Sequence, residues 1–190
     1  MIGSHNTMSY LPTVHWWQGW MKRWYCCQSK TIQEQYESGV RYFDIRLKLI
    51  NNEWHFVHNN IDFGTEDDKV YEWMNSLEDQ PIVRFMLDVR KTPKNENEYI
   101  NKFLDHVDIL SNIYTNILID SIIVYWNWKE YAVSGYVDEV HEIHASVCNT
   151  TIDYLLYGTK VCRPLFNTEL IKTISYCDGN SNAVILKDFV

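Results

Sequence analysis

The stretch TIQEQYESGVRYFDIRLKLINNEWHFVH, residues 31–58, decides the fold of this chain. Its first part predicts a short helix that stops at Gly39, because glycine favours helix ends. The next part alternates in character and predicts a strand with Asp44 and Arg46 on one face. The pair Asn-Asn then predicts a hairpin turn, and a second strand ends at His58.

This hairpin also carries ionisable side chains that suit catalysis. A carboxylate and a guanidinium side by side on one strand, with a histidine at the end of the next, are unusual in a purely structural hairpin. The start of the chain, GSHNT at residues 3–7, supplies a second histidine, His5. We expect His5 to follow a short strand and to form the other half of the same site.

Composition indicates one globular domain over residues 1–190, of which 46% are hydrophobic. A net charge of -8 argues against nucleic acid and against general electrostatic adhesion to anionic membranes. No signal peptide is visible, and no apolar run approaches the roughly 20 residues that span a bilayer. Five cysteines without CxxC spacing favour free thiols in a reducing compartment. We therefore expect a cytoplasmic or peripheral membrane protein.

Three tryptophans, Trp16, Trp20 and Trp24, recur at helical spacing within a helix predicted over residues 13–28. Two interpretations stay open. The face they form either packs on the core, which is its commoner use, or dips into a lipid headgroup layer. Its position directly after the His5 loop keeps the second interpretation open.

The rest of the chain alternates helices and strands, which favours parallel β/α packing. We predict helices over residues 66–77, 95–113, 137–147 and 169–175, and strands over residues 81–89, 117–126 and 183–189. The strand at 81–89 places Asp88 on a polar face, which suits a barrel that is polar near one mouth.

Four motifs, GSHNT, EQYESGVRYFDIRL, HFVHN and AVILKDFV, lie in this order from the first residues to the last. Together they resemble the catalytic domain of phosphatidylinositol-specific phospholipases C, most closely the compact bacterial type. Residues 92–180 match only in the alternating order of their predicted strands and helices. The resemblance implies an α/β fold of the TIM-barrel type. Because that fold usually takes roughly 200 residues or more, we expect a compact barrel that is distorted or incomplete.

The chemistry of such a site also follows from its residue types. Cleaving a phosphodiester beside a cis hydroxyl needs a base, an acid and positive charge on the phosphoryl oxygens. Two histidines and an arginine can supply these. The resemblance implies that His5 is the base on the inositol 2-hydroxyl and that His58 is the acid for the diacylglycerol oxygen. It also implies that Arg46 binds the phosphate, that Asp44 assists the acid step and that Asp188 orients the base histidine.

We expect no metal and no cofactor. Calcium-dependent members of the family carry an acidic ligand where this chain has Arg46, and an arginine repels a cation. Asn6, Asp44 and Asp88 offer only some of the oxygens that calcium needs. Asn6, Asp88 and Arg90 are instead candidate substrate-binding residues, although Asp88 and Arg90 could equally form an ion pair inside the barrel.

The sequence therefore predicts a metal-independent phosphodiesterase, a lyase that acts on a phospholipid or another phosphodiester and gives a cyclic inositol phosphate. Two alternatives stay open: a metal-dependent hydrolase of glycerophosphodiesters, and a catalytically weak relative that binds lipid headgroups or a partner. Of the other histidines, His141 and His144 are a metal pair or, more commonly, part of a solvated helix face. By strand parity His55 should be a surface residue.

Overall fold

A computed structural model describes residues 2–21, 25–127, 129–135, 141–144 and 183–187. The helices are α1 (Ile32–Glu37), α2 (Asp68–Asn75) and α3 (Glu96–Ile113), and two 3₁₀-helices span Thr7–Tyr10 and Trp16–Met21. The strands are β1 (Ile2–Ser4), β2 (Tyr42–Ile50), β3 (Glu53–His58), β4 (Ile61–Thr65), β5 (Ile82–Asp88), β6 (Leu118–Trp126), β7 (Lys129–Gly135), β8 (His141–His144) and β9 (Ala183–Lys187). Among the described helices, none is long and apolar enough to cross a membrane.

The described strands form one sheet with a parallel centre. Strands β6, β5, β2, β1, β9 and β8 lie side by side in that order, all parallel to their neighbours. Strand β7 is antiparallel to β6, and the pair β3–β4 extends antiparallel from β2. Within the described ranges β7 and β8 do not pair, so the sheet is open. The α/β expectation is confirmed, whereas the expected barrel is not seen in the part of the chain that the structure describes.

Local sequence explains how the central hairpin is placed. A capping box begins α1: the Thr31 hydroxyl accepts from the Glu34 amide, and the Glu34 carboxylate accepts from the Thr31 amide. The helix is followed by Gly39 at φ 95°, a conformation that side chains disfavour. Asn51 and Asn52 both have positive φ, 52° and 66°, as a two-residue hairpin turn requires. The predicted helix, its stop at Gly39 and the hairpin turn are confirmed.

The apolar core lies against one face of the sheet. Strand β5 contributes Val83, Phe85 and Leu87 to it, and α3 contributes Phe103 and Val107, all buried. Because side chains alternate along a strand, the intervening residues of β5 point to the opposite face. That opposite face carries the ionisable residues described below.

Two secondary-structure predictions are corrected. The helix expected over residues 137–147 is absent where the structure describes it, because His141–His144 is strand β8, paired parallel with β9. Neighbouring strands thus outweighed the local helical pattern. The proposed histidine pair on a helix is therefore wrong. The helix expected over residues 169–175 lies outside the described residues.

The tryptophan segment also differs from expectation. Residues 16–21 form a 3₁₀-helix with three residues per turn, so the α-helical spacing no longer defines one inward face. The side chains of Trp16 and Trp20 are 90% and 66% exposed, and the buried residue of the segment is Gln18. The core-facing interpretation is therefore wrong for these two tryptophans. Trp24 lies outside the described residues.

Candidate active site

The first strand delivers His5 and Asn6 to the centre of the sheet. Strand β1 runs parallel to β2, with Ser4 opposite Phe43, so the chain leaves β1 beside Asp44. Asn6 has a left-handed backbone, φ 47°, and its amide donates to Asp44 Oδ2 at 2.9 Å. The His5 carbonyl accepts from Gln28 Nε2 at 2.6 Å. These bonds fix the loop that carries the first histidine.

Asp44 is fully buried and binds two guanidinium groups. Arg46 Nε and Nη2 each lie 3.0 Å from Asp44 Oδ2. Arg84 Nε and Nη2 lie 3.1 Å and 3.0 Å from the other oxygen, Oδ1. Although burial alone would raise the pKa of Asp44, the charges of Arg46 and Arg84 outweigh it and hold that pKa well below its usual value. Asp44 is therefore ionised.

A second buried carboxylate, Asp88, lies at the end of β5. Its Oδ2 is 3.6 Å from Arg46 Nη1 and accepts from the Asn59 amide at 2.9 Å. Burial raises the pKa of Asp88 despite the attraction of Arg46. We call Asp44, Arg46, Arg84 and Asp88 the Asp44 cluster. Arg46 is its shared member, because it contacts both carboxylates.

His58 returns to this cluster because β3 runs antiparallel to β2. Its ring lies 6.1 Å from that of His5 in an edge-on arrangement. His58 Nδ1 is 2.8 Å from the carbonyl oxygen of Tyr25, which can only accept, so Nδ1 carries the hydrogen and Nε2 is the free nitrogen. Burial, the positive charge of Arg46 and the electrostatic effect of the neighbouring His5 lower the pKa of His58 to about 3. The imidazole is therefore neutral at pH 7 without a bound anion.

The structure brings together most of the residues selected from sequence. His5, Asn6, Asp44, Arg46, His58 and Asp88 lie in one region at the carboxyl ends of β1, β3 and β5 and beside β2. Arg90 is not part of the buried cluster; its side chain is exposed, beyond the end of β5, and the suggested Asp88–Arg90 pairing is replaced by the contact between Asp88 and Arg46. Asp188 lies outside the described residues.

Sequence reasoning missed Arg84. The sequence does not show which residue of another strand pairs with Arg84. The register places Arg84 opposite Asp44, which a parallel pairing of β2 with β5 would have revealed. The signal was an arginine within an apolar strand, a residue type almost never fully buried without a partner.

The cluster does not fit a calcium ion. Calcium takes six to eight oxygen ligands, about 2.3–2.6 Å away. Both oxygens of Asp44 are taken by guanidinium groups and an amide, and Asp88 shares Arg46. Across the described ranges, no group of three or more histidine, cysteine or acidic side chains is arranged to hold a metal.

Two further histidines have structural partners outside this site. His55 Nδ1 lies 2.9 Å from Asp62 Oδ1 with its side chain 12% exposed, so the expected surface position is wrong. The antiparallel partner β4 covers it and supplies the carboxylate. His106 lies 2.6 Å from Glu66 and stacks on Trp54, which ties α3 to the sheet.

Two cysteines lie close to the site. Cys26 and Cys27 are buried free thiols, as expected from the sequence. The sulfur of Cys27 is 4.0 Å from His58 Nδ1. The backbone amide of Cys27 donates to Ser9 Oγ at 2.9 Å. Residues 25–27 therefore pack against the His58 ring.

No model of a protein family matches the chain, and no curated protein matches it in sequence. Solved structures do match. The phosphatidylinositol-specific phospholipase C from Listeria monocytogenes aligns with a TM-score of 0.60 and 14% identity over 100% of this chain and 87% of that chain.

Two structures of the Staphylococcus aureus enzyme match equally well. A double mutant aligns with a TM-score of 0.64 and 15% identity, over 100% of this chain and 84% of that chain. A second structure, concerned with modulation of that enzyme's membrane binding, aligns with a TM-score of 0.64 and 14% identity, over 100% of this chain and 85% of that chain. At these identities the likeness shows the fold. The chain has the fold of bacterial phosphatidylinositol-specific phospholipases C, as its motifs predicted.

The Asp44 cluster makes a prediction for stability. Asp44→Asn leaves two buried guanidinium groups without their shared counter-charge, so we expect a loss of about 3–5 kcal/mol in the free energy of unfolding, measured in urea. Asp79→Asn is the matched control, because Asp79 pairs with Arg41 at the surface and should contribute at most about 1 kcal/mol. Equal losses in the two variants would contradict the central role of Asp44.

Proposed function

We propose that this protein is a phosphodiesterase of the phosphatidylinositol-specific phospholipase C type. The observation that carries the proposal is the approach of two histidines, with ring centroids 6.1 Å apart, to a buried arginine whose guanidinium is fixed by carboxylates. The shared fold and the order of the sequence motifs support the same reaction class. The substrate would be a phospholipid whose phosphodiester lies beside a cis hydroxyl.

His5 would be the base of this reaction. It accepts the proton of the 2-hydroxyl, whose oxygen then attacks phosphorus and forms the cyclic phosphate. We propose that Asp188 orients His5. Strand β9 ends at Lys187, which lies opposite Ser4, so Asp188 and His5 each directly follow a residue of this pair. This register supports the assignment, which completes an Asp–His pair of the kind found in catalytic triads.

His58 would be the acid. As the bond from phosphorus to the diacylglycerol oxygen breaks, its Nε2 hydrogen moves to that oxygen. The ring must first be protonated, and the lowered pKa of His58 in the free protein opposes this. A bound phosphodiester would supply a negative charge close to His58 and so raise its pKa. His58 is thus protonated, and able to act as the acid, when the substrate is bound.

Arg46 would stabilise the charge on the phosphoryl oxygens. Its guanidinium is always charged and is held on two sides by Asp44 and Asp88, so it needs little reorganisation as charge develops. An arginine in this place does the work of a divalent cation, and the carboxylates that could bind calcium are already paired. We therefore propose a metal-independent lyase.

Headgroup hydroxyls would bind at Asn6 and Asp88. Both amide atoms of the Asn6 side chain, and Asp88 Oδ1, are buried and have no hydrogen-bond partner among the described residues. Because buried polar atoms normally find partners, these atoms are suited to a polar ligand. Arg90 would act only at the outer rim, since its side chain is exposed.

The tryptophan segment would contact the membrane surface. Trp16 and Trp20 expose large aromatic side chains, and tryptophan favours the interface between lipid and water. The net charge of -8 argues against binding through anionic lipids, so the contact would be transient and apolar. We include Trp24 in this proposal from its sequence position.

The reaction can be tested by phosphorus NMR with phosphatidylinositol in detergent micelles. We expect a cyclic phosphate signal that grows in EDTA and is lost in His5→Ala and His58→Ala, with a drop in rate of at least about a hundredfold in each, as expected for loss of a general acid or base. Turnover that requires calcium would contradict the metal-independent lyase. Absence of turnover in both conditions would favour a binding protein that lacks this activity.

The pH behaviour of His58 gives a second test. We expect inorganic phosphate to raise the pKa of His58 by at least about one unit, because an anion favours the charged imidazole. By linkage, phosphate should bind more tightly as the pH falls from the His58 pKa of the phosphate complex to the lower His58 pKa of the free protein. Histidine NMR titrations with and without phosphate, at matched ionic strength in chloride, measure both effects. An unchanged His58 titration would contradict binding of the anion beside this ring.

Membrane contact can be measured by sedimentation with phosphatidylcholine vesicles. Trp16→Ala combined with Trp20→Ala should weaken binding at least about tenfold, which corresponds to 1.4 kcal/mol. Ile109→Ala combined with Ile113→Ala is the matched control, since these exposed apolar residues lie on α3. Equal weakening by both pairs would contradict a specific tryptophan surface.

A further inference from the structure

Arg84 is a buried cation that the reaction as proposed above does not use. It lies in the middle of β5 with its side chain at 0% exposure. Its guanidinium approaches Asp44 Oδ1 at 3.1 Å through Nε and at 3.0 Å through Nη2. Burying a charge costs free energy unless a partner compensates for it. An apolar side chain at this position would avoid that cost.

The two oxygens of Asp44 have separate tasks. Oδ1 faces Arg84, whereas Oδ2 binds Arg46 and the amide of Asn6. Both oxygens of Asp44 accept from donors, which favours the role of an anchor for this carboxylate. The assistance in the acid step that the resemblance implies for Asp44 stays a prediction.

Arg84 adds a second positive charge to the Asp44 cluster. Without it, the guanidinium of Arg46 alone would face the carboxyl groups of Asp44 and Asp88. With it, Asp44 Oδ1 has a cation of its own, and Arg46 is not the sole counter-charge of the two acidic side chains. Burial also raises the pKa of Asp88, which disfavours its negatively charged form.

We propose that Arg84 is a positioning residue for anion binding: it holds Asp44 so that Asp44 fixes Arg46, and it supplies the positive charge that lets the cluster accept a phosphate group. This proposal rests on the proposed function for the identity of the anion, the phosphodiester of the substrate. Arg84 itself does not touch the substrate and acts through Asp44 and Arg46.

The test uses the full chain with inorganic phosphate as the probe, so that it does not depend on turnover. We would compare Arg84→Met, which removes the charge, with Arg84→Lys, which keeps the charge but loses the two-point contact. Tyr71→Phe is the control for loss of a buried polar group, because the Tyr71 hydroxyl donates to Glu66 away from Asp44. Calorimetry gives the phosphate affinity, and the Arg46 Nε–H signal in NMR reports how firmly Arg46 is held.

We expect Arg84→Met to weaken phosphate binding at least about tenfold and to broaden the Arg46 Nε–H signal. Arg84→Lys should weaken binding by no more than about threefold while still broadening that signal, and Tyr71→Phe should change neither. In a turnover assay, kcat should fall in both Arg84 variants. If Arg84→Met does not fold, Arg84→Lys decides: a sharp, unshifted Arg46 signal overturns the proposal.

The outcomes separate the two proposals. Phosphate binding that depends on Arg84 in a protein without phospholipase activity would support the positioning role and contradict the proposed function. Failure of the unaltered protein to bind phosphate would overturn the role of Arg84 in anion binding. Wild-type phosphate affinity in a folded Arg84→Met would do the same, even if phosphatidylinositol is turned over.

Discussion

The site depends on one ionised carboxylate in the middle of a parallel sheet. Asp44 compensates two guanidinium groups and holds the loop after β1 through the amide of Asn6. Each of these groups would be costly to bury alone, and together they satisfy one another. The interaction therefore joins three strands, β1, β2 and β5, at the point where the candidate chemistry takes place.

The parallel register is what allows one carboxylate to serve three strands. Asp44 lies opposite Arg84 on β5, and Ser4 of β1 lies opposite Phe43, directly before Asp44. A shift by one residue would turn Asp44 into the apolar core and Phe43 toward the polar side. The apolar face, with Phe43 and Phe85 in the core, and the ion pairs on the other face thus specify the same register.

Local patterns were sufficient to predict the central hairpin, its turn and the strand that carries Asp44 and Arg46. Their signals, a glycine stop, alternation along the strand and an Asn-Asn pair, act over a few residues. Arg84 could not be assigned, because its partner lies 40 positions away and only the sheet brings them together. The exposed tryptophans were ambiguous for a similar reason, since spacing alone does not say which side of a turn the core covers.

The same positive charge that suits the site to a phosphate also disfavours the protonated form of its proposed acid. Burial and, after it, the charge of Arg46 lower the pKa of His58, so the free site holds a neutral imidazole. An anion that neutralises Arg46 removes part of this effect and lets the ring take up a proton. Under the proposed function, binding of the substrate and protonation of His58 would be one electrostatic event. Such coupling needs the cation to be fixed before the anion arrives, which is what the contacts of Asp44 with Arg46 provide.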